Sequence, residues 1–124
     1  MRRPSAASGD QLRAVAPDFV EITDRVLYGE VWERPGLAPR DRSVLTIAAL
    51  ISSGRHAQLE NHVRFGLENG ITMKEMEEIM IHLAFYVGWP SAVQATRIFH
   101  DVVAKQKAAA EAADPACECF PEKK

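Results

Sequence analysis

Cysteine is nearly missing from this chain of 124 residues, and the two present, Cys117 and Cys119, sit side by side near the C-terminus. A disulfide-stapled secreted fold spreads its cysteines through the sequence, so that class is excluded. One residue separates the two thiols, not the two residues of a thioredoxin-like redox motif. Charge of one sign is also lacking. The net charge is −2 at pH 7, and no Lys/Arg cluster offers the electrostatic footprint that nucleic acid requires. Long apolar runs are absent: an apolar-rich stretch such as Val44–Ile51 falls far short of the roughly 20 residues that span a bilayer. The start, Met1-Arg-Arg-Pro-Ser5, is basic, yet no apolar segment follows it, which argues against a secretory signal. Period-two alternation never persists long enough to mark a strand. These absences lead us to expect a soluble, cytoplasmic, all-α protein with no membrane or nucleic-acid partner.

What is present is helical. A chain of this length fits one domain, and a domain this size buries roughly two-thirds of its unfolded surface. Residues 1–16 lack apolar periodicity and are expected to form a flexible leader. A helical domain is expected over 17–113, and 114–124 reads as a flexible tail. Pro17, a favourable first helical residue, opens a helix whose apolar face is Phe19, Ile22, Val26 and Leu27, ending near Tyr28-Gly29. Residues 29–39 hold Trp32, Pro35, Gly36 and Pro39, so a structured loop is expected there. The next helix, about 39–53, is apolar almost all round and should be buried on every side, more easily if another subunit covers it. Gly54 breaks it. A helix over about 55–68 follows, and Asn69-Gly70 caps it. Thr72 and Glu75 have capping-box spacing and open a helix that stops at Gly88-Trp89-Pro90. The last helix begins at Pro90 or Ser91, runs to about Ala113, and buries Ala92, Ala95, Phe99, Val102 and Val103. The short link at 69–72 predicts an antiparallel hairpin of the helices on either side.

Few residues in this frame can carry chemistry. Leu59, His62, Val63 and Gly66 follow helical spacing, which turns His62 with the apolar face. His82 falls with Ile79 and Tyr86, and Glu78 stands four residues earlier, within hydrogen-bond reach. Two inward imidazoles on consecutive helices suggest acid–base or carbonyl-binding chemistry without a cofactor. The plainer alternative is a satisfied core histidine for His62 and a surface pair for His82. A zinc site from Glu78, His82 and His62 is the weaker alternative, so no metal is expected. Arg40 and Arg42 open the buried helix, where a cation opposes the helix dipole. Each therefore holds an anion or an acidic neighbour, or forms a salt bridge to another subunit. Glu60, Arg64 and Glu68 read as a solvated ladder. His56 and His100 look peripheral, and Trp89 an anchor at a helix break.

The stretch Tyr28-Gly-Glu-Val-Trp-Glu-Arg-Pro-Gly-Leu37, followed by Arg42-Ser-Val-Leu-Thr-Ile-Ala-Ala-Leu50, resembles the carboxymuconolactone decarboxylase family. Gln58-Leu-Glu-Asn-His62, Asn69-Gly-Ile-Thr72 and Glu78-Ile-Met-Ile-His82 through Tyr86 to Pro90 extend the resemblance over about Asp18 to Val103. It implies a compact five- to six-helix bundle of the alkylhydroperoxidase-like type, assembled as a homo-oligomer, commonly a trimer or hexamer. It implies no metal or organic cofactor. The implied activity is removal of CO2 from a carboxylated lactone in aromatic catabolism, on the β-ketoadipate route. His62 and His82 would then share the catalytic roles. Arg42, with Arg40 second to it, would bind a substrate carboxylate, and Tyr86 would contact the ligand or orient His82. The sister peroxidase branch carries a Cys-x-x-Cys before its histidine, and those positions hold Arg55 and Gln58 here. Gly88-Trp89-Pro90 looks closer to general family members than to the best-defined lactone decarboxylases. The alternatives are therefore a paralogue acting on another lactone or keto acid, a peroxidase-branch relative, and a non-catalytic oligomeric module.

Overall fold

Pro17 and Pro39 each occupy the first turn of a helix, where a missing N–H breaks no bond. In the computed structural model, which describes the backbone of residues 6–113 and the side chains of residues 10–113, the chain is all-α. The helices are α1 (Ala6–Val15), α2 (Pro17–Ile22), α3 (Pro39–Ser53), α4 (His56–Glu68), α5 (Met73–Val87) and α6 (Trp89–Ala113). A π-helical segment, Thr23–Val31, continues α2. Cys117, Cys119 and the tail expected over 114–124 lie outside the described residues. No described helix is long and apolar enough to cross a membrane.

The helix stops follow the sequence. Gly54 ends α3 in the left-handed region at φ 71°, which a residue without a Cβ adopts without strain. Thr72 and Glu75 complete the capping box: the Glu75 N–H donates to Thr72 Oγ1, and the Thr72 N–H donates to Glu75 Oε1, both at 3.0 Å. Such a cap contributes about 1 kcal/mol.

Four helices form a square in cross-section. α3 packs on α4 and α5, and α6 packs on the same two. The core between them holds Ile47 and Ile51 from α3, Leu59 and Val63 from α4, Met76 and Met80 from α5, and Ala95 and Val102 from α6. α4 and α5 stand across the diagonal and barely touch, so the expected hairpin does not form. The cause lies in the link between them. Ile71 is buried, and its N–H donates to the Gly66 carbonyl, so the connection is drawn across the end of the core. Gly66 is the point of closest approach. A Cβ there would stand 3.0 Å from Cδ1 of both Ile47 and Ile71.

Three further expectations change. Residues 6–15 of the supposed leader are helical and pack on α2. The helix opened by Pro17 does not stop at Gly29; its turns widen instead, and the buried face becomes Val20, Tyr28 and Trp32, while Phe19 is 63% exposed. In α3, Ile47 and Ile51 are buried, but Leu45 is 58% exposed, so one chain covers only one face. α6 starts at Trp89 and buries Ala92, Ala95 and Val102 of the expected stripe, while Phe99 and Val103 are half-buried.

Candidate active site

Among the described residues, two side-chain nitrogens lie buried without a hydrogen-bond partner: Arg42 Nε and His62 Nδ1. A buried polar group left unpaired costs about 1–3 kcal/mol, so each such atom calls for an explanation. Both belong to residues picked out by the sequence. Arg42 lies in the first turn of α3 and His62 in the middle of α4, and these two helices pack along their length.

Each side chain is held by the segment preceding α3. Arg42 Nη2 donates to the Arg34 carbonyl at 3.1 Å, which fixes the guanidinium and leaves Nε free. The His62 ring packs against two aromatic side chains. Trp32 stacks on it at 6.4 Å and 26°, and Phe65 meets it at 5.9 Å and 59°. Trp32 and Phe65 also pack on each other at 5.3 Å, and Tyr28 completes the cluster. Sequence reasoning did not assign Trp32 to the site. It stands in a Pro- and Gly-containing stretch without periodicity, so the available signals were its bulk and its place in the Tyr28–Leu37 stretch that carries the resemblance.

Burial, with the Arg64 cation as a smaller cause, pushes the His62 imidazole below its ordinary value. The ring is therefore neutral near pH 7, with one nitrogen donating and the other accepting. The same shift makes a stability prediction. Between the lowered folded value and the ordinary unfolded one, the unfolded chain binds more protons, so stability rises with pH. The stability of the wild type relative to His62→Phe is expected to increase from about pH 5 to about pH 7, as read from urea unfolding. A difference flat across that range would contradict a desolvated imidazole.

Arg40 behaves differently from Arg42. Its guanidinium pairs with Glu75 of the α5 capping box and with Asp41 at 3.4 Å. That answers the sequence question within one chain: the acidic neighbour is Glu75, and the pair ties α3 to α5. The Arg40 side chain and the Thr72 N–H hold the Glu75 carboxyl down at about 2. Elsewhere Glu60 reaches Lys105 of α6 at 2.6 Å, and Arg64 donates to Asn61, so Glu60 and Arg64 serve other partners.

His82 is not inward-facing. It is exposed on α5 and stacks on Tyr86 at 4.8 Å, and Tyr86 is itself 76% exposed. Glu78 lies 3.9 Å from Lys74 rather than bonding His82. Because α4 and α5 are diagonal, one chain does not bring His82 into contact with His62. No group of three or more His, Cys, Asp or Glu residues able to hold a metal ion occurs among the described residues, so Glu78, His82 and His62 do not assemble as ligands.

A groove of about 640 Å³ runs between α5 and α6, lined by Met80, Ala84, Trp89, Ala92 and Thr96, with Arg97 and His100 along it. Trp89 and His100, read from the sequence as an anchor and as peripheral, line it, whereas His62, His82, Arg40, Arg42 and Tyr86 do not. Its lining is largely apolar with Arg97, His100 and Asp101 as its polar groups, while the buried unpaired side-chain nitrogens lie elsewhere, on Arg42 and His62.

Residues 17–101 match the sequence profile of the Carboxymuconolactone decarboxylase family. The chain belongs to the carboxymuconolactone decarboxylase family. Within that family it is 39% identical over 85 residues to a 4-carboxymuconolactone decarboxylase of Acinetobacter baylyi, covering 68% of this chain and 63% of that one. It is 37% identical over 75 residues to a nitrosuccinic acid decarboxylase of Metarhizium robertsii, covering 60% and 52%. An uncharacterized 15.0 kDa protein of Paracoccus denitrificans is 32% identical over 81 residues, covering 64% and 60%. The matched region thus spans 52–63% of the length of these three relatives. The described residues form an all-helical fold, in line with the resemblance, and the family match takes in Trp32, Arg42, His62 and His82.

Proposed function

We propose that this protein is a decarboxylase acting on a small carboxylated substrate, a carboxylated lactone first among the candidates, with Arg42 and His62 at the reacting centre. The observation that carries the reading is the pair of buried, unpaired nitrogens on those two residues. Two relatives named as decarboxylases of small acids support the reaction class. Arg42 offers a guanidinium edge to a substrate carboxylate. Loss of CO2 leaves an electron pair that spreads onto a neighbouring carbonyl oxygen. His62, neutral and desolvated, donates an N–H to that oxygen in a setting where such a bond is strong. No step in this account calls for a metal or an organic cofactor.

A second group must then deliver a proton to carbon. His82 with Tyr86 is our candidate, contributed by a second copy, since one chain keeps them away from His62. A homo-oligomer, which the family resemblance gives as a trimer or hexamer, is supported by the apolar surface where α5 meets α6: Phe85 of α5 is 76% and Trp89 of α6 62% exposed. Exposed apolar faces of this kind mark contact surfaces.

The test is CO2 release by the purified protein from 4-carboxymuconolactone and from nitrosuccinic acid, followed with the wild type and Arg42→Gln. Turnover of the lactone, with KM raised roughly tenfold or more in Arg42→Gln, is expected for loss of a charged contact. Absence of CO2 from both acids, with the protein folded, would remove the reading.

A further inference from the structure

The π-helical segment Thr23–Val31 lies next to the candidate site, and widened turns inside helices are frequent at functional sites. It ends on a bond of the wide type, from the Trp32 N–H to the Leu27 carbonyl at 2.9 Å. The wider turn sets Tyr28 and Trp32 on one face, and both are buried there. An ordinary helix would place those two side chains differently relative to α4. Gly29 sits inside the wide turn, and a Cβ at that position would stand 3.0 Å from the Asp24 carbonyl oxygen, a backbone atom that cannot swing aside.

We propose that Trp32, delivered by the π-helical turn, is a positioning residue for His62: it covers one face of the imidazole and holds the ring with Nδ1 in the interior. Three observations converge on this. Trp32 is 6% exposed and stacks on the His62 ring. Phe65 meets the same ring and packs against Trp32, so the imidazole is the third member of a triangular cluster in which Trp32 and Phe65 brace each other. Nδ1 is buried with no hydrogen-bond partner among the described residues, so no bond at that nitrogen fixes the ring's orientation. Trp32 itself touches no reacting atom and acts through His62.

The contact is tested without a substrate. Diethyl pyrocarbonate acylates neutral imidazole, and peptide masses report each histidine separately. His100, 79% exposed at its side chain, is the internal reference. Trp32→Leu is expected to speed His62 modification relative to His100 by roughly two- to tenfold, the fold-change equivalent of one lost aromatic contact. Trp32→Phe should stay near the wild type. Gly29→Ala changes no side chain of the site, and it should also speed modification, because it forces the wide turn to shift. Trp32→Met stands in if Trp32→Leu does not fold, with the same expectation. Unchanged His62 modification in the Leu or Met variant overturns the positioning role, and unchanged modification in folded Gly29→Ala overturns the part given to the turn. The kinetic arm rests on the decarboxylase reading: Trp32→Leu should lower kcat with KM nearly kept, and Trp32→Phe should restore it. A fall confined to KM contradicts a positioning role. Loss of all turnover in the wild type would sink the decarboxylase reading and leave the footprint to decide this one.

Discussion

Replacing His62 by phenylalanine is expected to lower kcat/KM for decarboxylation by about 10²–10³-fold while leaving the protein at least as stable as the wild type. Phenylalanine keeps a flat ring against Trp32 and Phe65, so the stacking survives. It removes Nδ1, a buried atom with no partner, whose desolvation costs about 1–3 kcal/mol in the native state. A residue kept at a cost to stability is what a reacting centre shows when function and folding compete. Activity would be followed by CO2 release and stability by urea unfolding of the same samples. Retained turnover would remove His62 from the chemistry. A loss of stability as large as that of a core truncation would mean that the ring nitrogens are satisfied after all.

Phe65→Ala should produce the largest change in stability, about 3–5 kcal/mol, because it combines lost transfer energy with a cavity that its neighbours cannot fill. Phe65 is 1% exposed and contacts Tyr28, Trp32 and His62. It therefore joins the π-helical segment to α4 as well as filling space. The melting temperature is expected to fall by roughly 10–20 °C. Residual activity, measured well below the new melting point, should fall as well, since the His62 ring loses its second wall. A cost under about 1.5 kcal/mol would show that the cluster is a loosely held surface feature.

The contrast between α4 and α5 shows how much of this was legible in the sequence. On α4 the apolar positions are sparse and regularly spaced, so Leu59, Val63 and Gly66 identify the buried face, and His62 follows with them. On α5 nearly every position from Ile79 to Val87 is apolar or aromatic. Such a helix has no single face that the sequence can identify. Packing on α3 and α6 selects Met76, Met80 and Ala84, which turns His82 and Tyr86 outward. The capping signals at Gly54 and at Thr72 with Glu75 were legible because they act locally, through one bond or one dihedral angle. The π-helical turn was not. A bond reaching back five residues instead of four leaves no mark on composition, yet in the segment that carries it Tyr28 is buried while Leu27 is 41% exposed, and Trp32 is buried just beyond. The diagonal placement of α4 and α5 was hidden for a related reason: the length of the link allows either arrangement, and the burial of Ile71 decides between them.

Gly66 gives the centre a gauge that lies outside the chemistry. It sits one turn beyond His62, and the interval between α3 and α4 is set where its lone hydrogen faces Ile47 and Ile71. Helix axes stand about 8–10 Å apart according to what fills the crossing point. The distance across which Arg42 and His62 can grip one small molecule is thus calibrated by the smallest side chain in the bundle. A relative could retune the bite of its centre there, for a longer or shorter acid, without altering any residue that meets the ligand.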